Sequence, residues 1–359
     1  MFTHCSRPDR MRSQGCCSTD VPTPGQRGDR RSASRRVSTA SPKPCRPARR
    51  DPAMSRSTIL AVVTMLVGSL LPLQRAGAQM VHFVDNIRGC EGRTPCYSTI
   101  TDAVAAAAPF DTIAVFPGVY HETVAFEGPS KGDITLRSHG RVKPVIAPSA
   151  GNGVSILAAP RVQVLNFVIE APSTAVSIGG PLSSGYVIQN NWLNGLTSGA
   201  AREATVKNNT FVGAGIRADL NASVIEGNRF VGAGIFLFEG AQRPEDNLIR
   251  RNLVRRGGID LNAPASGNTI VANFVSGSPG DGISIGVLNH GSVNVIERNT
   301  SVENAGCDVN DRSDGGNTWT NNRFGTSCGA ASAQASATPA RGSARATPAE
   351  SSLTPEDED

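Results

Sequence analysis

Val206-Lys-Asn-Asn209-Thr-Phe211 and Ile225-Glu-Gly-Asn228-Arg-Phe230 are two copies of one phrase: an aliphatic residue, two mostly polar ones, an Asn, then an apolar residue. The phrase recurs as Ile188-Gln-Asn-Asn191-Trp192, Ile249-Arg-Arg-Asn252-Leu253, Ile270-Val-Ala-Asn273-Phe274, Ile296-Glu-Arg-Asn299 and Trp319-Thr-Asn-Asn322-Arg-Phe324. Successive Asn positions lie 18, 19, 24, 21, 26 and 23 residues apart. A period of that size marks a solenoid, because one coil cannot bury its apolar face without a neighbour on each side. Between the Asn phrases sit Gly215-Ile216, Gly234-Ile235, Gly258-Ile259 and Gly282-Ile283, with Gly306-Cys307 expected as the next member. Each coil therefore offers one Gly-Ile strand and one strand leading into the Asn. From Thr112 to Phe324 short alternating runs are separated by Gly, Asn, Ser or Pro, too short and too regular for helical crossovers. The expected fold class is all-β: a single-stranded parallel β-solenoid of about 9–10 coils, stacked about 4.8 Å apart. Aliphatic side chains would stack inside, and each Asn would stand at a turn, its amide bonded to the coils above and below.

The formal charge of +5 comes from the N-terminal segment. Residues 1–53 hold 12 Lys/Arg against 4 Asp and show no apolar periodicity, so we read them as a basic leader upstream of the true start. Met54-Ser-Arg56, the apolar run Ile59–Leu73 and Ala76-Gly-Ala78 describe a signal peptide over residues 54–78, cleaved after Ala78. The run is too short for a comfortable membrane span, so no stable anchor is expected after cleavage. Residues 79–359 carry 21 basic and 26 acidic side chains, a balance that gives no support to nucleic-acid binding. The solenoid is expected over residues 79–328. The Ala/Ser/Thr/Pro-rich segment 329–359, ending Glu356-Asp-Glu-Asp359, reads as a disordered acidic tail. Four Cys remain after cleavage, in two local pairs, Cys90 with Cys96 and Cys307 with Cys328; these suit disulfides in an oxidising compartment, outside the cell or in the periplasm.

Tyr97 to Ala108 is the best helical stretch after the signal segment: Ser98 or Thr99 can cap it, and Ile100, Ala103, Val104 and Ala107 form one stripe. Together with Asp111-Thr-Ile-Ala-Val-Phe-Pro-Gly-Val-Tyr-His-Glu-Thr-Val124, Ser98–Val104 resembles the N-terminal cap and first coil of secreted β-helix proteins, pectin methylesterases among them. Over about residues 81–328 the chain resembles the right-handed parallel β-helix (pectin-lyase-like) superfamily. That resemblance implies a right-handed solenoid and a helix that covers the sheet edges at its open end. It also implies enzymes acting on acidic polysaccharides, yet their catalytic sets are missing here. Residues from Thr174 onward contain no Asp before Asp219, and the middle coils show no Asp cluster of the pectate-lyase kind. The Asp-Pro-His-Asp run of mannuronan epimerases is absent. Pro279-Gly-Asp281-Gly-Ile-Ser-Ile-Gly286 only echoes a polygalacturonase stretch, with Asp281 in place of a His.

One constellation follows from alternation alone. If each Ile of the Gly-Ile strands points inward, the next residue and the one two further on point outward. That places Arg217, Phe236, Asp260, Ser284 and Asp308 in one row, beside Asp219, Phe238, Asn262 and Asn310. Phe rings can stack on sugar faces while Arg, Asp and Asn take hydroxyls and carboxylates. Arg217, Asp219, Phe236, Phe238, Asp260 and Asn262 are thus the expected substrate-binding residues, and Asp260, Asp308 and Arg217 the catalytic candidates. Asp260 and Asp308 would stand two coils apart, roughly 9–10 Å, near the upper limit for inverting hydrolysis. Asp308, Asn310, Asp311 and Asp314 offer hard oxygen ligands of the kind calcium takes, without an EF-hand pattern. His82, His121, His139 and His290 are scattered at no ligand spacing, which argues against zinc and against copper, although some periplasmic β-helices serve copper-enzyme maturation. The expected protein is an exported monomer that recognises or processes an extracellular or periplasmic polysaccharide; if an enzyme, it is a lyase or glycoside hydrolase. The alternative is a non-catalytic surface or structural β-helix that binds another protein.

Overall fold

The computed structural model describes residues 79–331, apart from 181–182, 263, 287–292 and 314. The leader, the signal segment with its cleavage site, His290, Asp314 and the tail beyond Ala331 lie outside the described residues. Over the described residues the chain is a right-handed parallel β-solenoid with three sheets running its length. Sheet 1, of 12 strands, begins with Val81–Val84 and Cys96–Tyr97 and collects the strands that precede each Asn, ending at Thr318–Thr320. Sheet 2 has ten strands, from Val119–Tyr120 to Arg323–Phe324, and takes those that follow each Asn. Sheet 3 also has ten, from Val124–Glu127 to Ser327–Gly329, and contains the Gly-Ile strands.

The expected inward rows are present. In sheet 1, Ile188, Val206, Ile225, Ile249, Ile270 and Ile296 pair in register, and all are buried. Sheet 2 stacks Phe211 on Phe230, ring centroids 4.7 Å apart and nearly coplanar in orientation. Sheet 3 stacks Ile216, Ile235, Ile259 and Ile283. Each such side chain contributes roughly 1.5–3 kcal/mol by leaving water, so the aliphatic columns supply most of the driving force.

The recurrent Asn side chains form a continuous buried ladder. The Oδ1 of Asn209 accepts from the backbone N–H of Asn191 at 2.9 Å and from its Nδ2 at 3.1 Å. Its own Nδ2 donates to Ile188 O at 2.7 Å and to Asn228 Oδ1 at 3.0 Å. The same pattern repeats through Asn228, Asn252, Asn273 and Asn299 to Asn322. The residue before each ladder Asn turns the corner with positive φ, from 54° at Asn208 to 64° at Gly227. A second ladder, absent from the sequence reading, joins Asn247, Asn268, Asn294 and Asn317 at the preceding corner. Each of its members stands five positions ahead of a first-ladder Asn, so the signal was present in the sequence.

Both ends of the core are closed. The helix spans Ile100–Ala106; Thr99 accepts the Asp102 N–H, Glu122 accepts those of Ile100 and Thr101, and Ile100, Ala103 and Val104 are buried. Ala107 forms the helix C-cap and is buried as well. At the other end the inward row that runs through Leu237, Leu261 and Ile285 reaches Asp311, beside which the last strand places only Gly329. Its carboxylate accepts from Trp319 Nε1 at 2.8 Å, Asn317 Nδ2 at 3.0 Å and Ser313 N at 3.1 Å. The two disulfides, Cys90–Cys96 and Cys307–Cys328, lie near the two ends.

Candidate functional site

Sheet 3 carries a groove of about 560 Å³ whose floor is backbone. Gly215, Gly234 and Gly258 sit one above another. A Cβ on Gly215 would meet Gly234 O at 1.9 Å, and one on Gly234 would meet Gly258 O at 2.3 Å. The Gly of the Gly-Ile motif is therefore a packing requirement: only a residue without Cβ lets the coils close here. Ile of the motif fills the core, and the next residue projects beside the groove.

The outward row in this sheet runs Thr197, Arg217, Phe236, Asp260, Ser284, Asn310. Four of the five predicted members are in register, and Arg217, Phe236 and Asp260 line the groove together with Asp281. The Arg217 guanidinium lies 4.7 Å from the Phe236 ring centroid and 5.2 Å from that of Phe238. The two rings are themselves 6.0 Å apart. Stacking on both rings holds the planar cation while leaving N–H edges for a ligand. Phe238 pairs with Asn262, which is exposed, so those two stand where alternation put them.

Asp260 is partly shielded. Burial pushes its carboxyl up from the ordinary range, against the pull of Arg312 and a hydrogen bond from Ser284, and the nearby Asp281 charge adds to the rise. Arg312 Nη2 donates to Ser284 Oγ at 2.8 Å and lies 3.8 Å from Asp260 Oδ1. Asp281 is fixed at the groove end: Cys307 N donates to one oxygen at 2.8 Å and Asn310 Nδ2 to the other at 2.7 Å. Arg312 and Asp281 were not among the expected binding residues: Arg312 takes the outward position two beyond Asn310, which the two-residue shift of this strand brings beside Asp260, and Asp281 precedes the strand Ile283–Ile285.

Two expected members are placed elsewhere. Asp308 is not in the outward row, because Val309, not Cys307, pairs with Ile283, and Asn310 takes the position beside Ser284. The turn before this strand is two residues longer than the motif implied. Asp308 is buried within it, accepting from Asn304 Nδ2 at 2.8 Å, Gly325 N at 2.8 Å and Thr326 N at 3.0 Å. The Asp260–Asp308 carboxylate pair across two coils therefore does not exist. Nor do Asp308 and Asp311 form a ligand set for calcium: their oxygens serve the turn and the core end respectively, and Asp314 lies outside the described residues.

Asp219, expected to face outward, is 0% exposed. The strand above bulges between Ser198 and Ala201, and the loop 240–242 folds over the carboxylate, Gln242 N donating to Oδ2 at 3.1 Å. Its Oδ1 is buried without a hydrogen-bond partner. Desolvation accordingly pushes the Asp219 carboxyl above its ordinary value, although the loop N–H groups oppose it. A carboxyl that holds its proton more tightly when folded lends stability at low pH and withdraws it as pH rises through the folded value. Asp219→Asn is expected to unfold at higher urea than the parent at pH 7 and at the same urea near pH 3. Equal midpoints at pH 7 would show that the carboxylate carries no such penalty.

Solved structures resemble the chain in fold. Pectate lyase Pel9A aligns at 14% identity over 69% of this chain and 79% of its own, with a TM-score of 0.47. The A-module of mannuronan C-5 epimerase AlgE4 from Azotobacter vinelandii aligns at 13% identity over 62% and 70%, TM-score 0.42. Pectin methylesterase from carrot aligns at 14% over 67% and 82%, TM-score 0.36. No curated protein matches the sequence.

A family model described as "Periplasmic copper-binding protein (NosD)" matches residues 135–332. The described donors do not fit a copper ion. Cys90, Cys96, Cys307 and Cys328 are consumed in disulfides. His82 is held between Tyr97 and Asp111, His121 bonds Ala147 O, and His139 packs on Phe116. Among the described residues no three His, Cys, Asp or Glu side chains are grouped to hold a metal. The family match, however, covers more than half of the sequence and coincides with the solenoid coils; the chain belongs to the NosD family of periplasmic β-helix proteins.

Proposed function

We propose that the groove on sheet 3 binds a polysaccharide chain carrying carboxylates, outside the cytoplasm. The observation that supports this reading is the Arg217 guanidinium laid across Phe236 and Phe238 in register with Asp260. A cation fixed on two rings offers a bidentate edge to a uronate carboxylate, while Asp260 and Thr197, which also line the groove, can take hydroxyls of neighbouring sugars. The glycine floor lets a ligand approach the backbone closely. Asp260, with its carboxyl shifted up by burial, is the groove carboxyl proposed for moving a proton, with Asp281 beside it; binding does not depend on it doing so.

The test is retention of the exported protein on columns of uronate-containing and neutral glycans, with unsaturated products and reducing ends followed in parallel. The expected result is retention by a polyuronate, weakened at least about tenfold by Arg217→Ala, the loss of a charge-assisted bidentate contact. Turnover unchanged in Asp260→Asn would separate binding from catalysis. The reading fails if no glycan retains the protein. That outcome would favour a non-catalytic scaffold that binds another protein, a role that the missing catalytic sets also suit.

A further inference from the structure

Sheet 2 presents a second groove, of about 510 Å³, with a different chemistry. One outward row there runs Arg229, Leu253, Phe274, Thr300, Arg323, and the row beside it Val231, Arg255, Ser276, Val302. Val231, Phe274 and Val302 line the groove, and Arg229, Arg255 and Arg256 stand around them with one acid, Glu303. Phe274 is 38% exposed, and its ring lies among Arg229, Arg255 and Arg256 rather than against the core. Arg229, Arg255 and Arg256 are all exposed, and among the described residues none of the three has a carboxylate within salt-bridge distance. Elsewhere Arg161, Arg250, Arg251, Arg298 and Arg312 each have one.

Three uncompensated guanidinium groups around an apolar floor call for a ligand that is both anionic and apolar. We propose that this face docks an extended acidic segment of a partner protein, with Asp or Glu side chains on the arginines and an aliphatic or aromatic side chain on Phe274. Arginine and aromatic residues around a small apolar centre are the composition of protein-binding surfaces. The groove crosses four coils, about 14 Å, which an extended peptide covers in four or five residues. A phosphate polymer would leave Val231, Phe274 and Val302 without partners and would meet the Glu303 charge. An anionic bilayer needs an apolar group standing proud of the surface, whereas Phe274 lines a concavity.

The experiment uses the full exported chain and a fluorescent twelve-residue peptide of repeated Glu-Asp-Leu, with a Lys-Lys-Leu counterpart, read by anisotropy. Polyphosphate and phosphatidylglycerol vesicles form two further arms. The expected result is saturable binding of the acidic peptide only, weakening as salt is raised. The double variant Arg255→Glu/Arg256→Glu, checked for an unchanged circular dichroism spectrum and melting point, loses at least about 30-fold in affinity, since charge reversal turns attraction into repulsion. Arg217→Ala, on the other face, binds like the parent. Equal binding by the double variant, no binding by the parent, or tighter binding of polyphosphate or vesicles than of the peptide overturns the proposal.

Discussion

Asn252→Ala is expected to cost about 3–5 kcal/mol of unfolding free energy and, in a chain of this size, roughly 10 °C of melting temperature. The side chain is 2% exposed and makes four hydrogen bonds. Its Oδ1 accepts from Asn228 N at 2.9 Å and Asn228 Nδ2 at 3.0 Å; its Nδ2 donates to Ile225 O at 2.9 Å and Asn273 Oδ1 at 3.0 Å. Truncation strands the Asn228 backbone donor and the Ile225 carbonyl where water cannot reach them. Each such group costs about 1–3 kcal/mol, which is more than the net worth of a bond whose two partners vanish together. Asn252→Asp keeps the acceptor but turns a charged oxygen toward Ile225 O and Asn273 Oδ1, so it is expected to be no better tolerated. Asn262→Ala, at an exposed position on sheet 3, should change stability by less than about 0.5 kcal/mol. Urea unfolding of the three variants checks the ranking. A loss under 1 kcal/mol at Asn252 would remove the ladder from the account of stability.

Gly215→Ala is the second large effect, at about 3 kcal/mol or more. The added Cβ would stand 1.9 Å from Gly234 O and 2.8 Å from Gly234 N, both backbone atoms of the next coil. Neither atom can rotate away, so the coils must separate and the column Leu196–Ile216–Ile235 must loosen with them. Overpacking at rigid sites costs typically 1–3 kcal/mol and more when backbone has to move. Because Gly215 and Gly234 form the groove floor, glycan retention should fall in the same variant even at temperatures where it stays folded. Unchanged stability together with unchanged retention would mean that the groove floor is looser than the contact distances imply.

The rungs of this solenoid are legible because their cause is local and repeated. An apolar residue four or five positions before another, with Asn between, needs no knowledge of the neighbouring coil to be read as strand, corner, strand. Gly-Ile was equally readable for as long as the turn before it kept its length. It failed at Gly306-Cys307, where Asn304 to Asp308 build a longer turn pinned by Asp308 on Gly325 and Thr326. The outward row was therefore foreseen from Arg217 to Ser284 and lost by two positions at its last member. Asp219 shows the other limit. Alternation put it outside, but a bulge in one neighbouring coil and a loop from another cover it, and neither appears in the residues around Asp219. Arg312 escaped through the same two-residue shift that displaced Asp308, and Asp281 because it lies ahead of its strand, where alternation gives no guidance. The second Asn ladder was missed although its spacing is as regular as the first.

What most directly tests the reading of sheet 3 is a crystal structure of the protein with a bound oligouronate. The account predicts a sugar carboxylate on the Arg217 guanidinium, with the chain lying over Gly215 and Gly234 toward Asp260. Sugar bound on another face, with the Arg217 groove left to solvent, would contradict it.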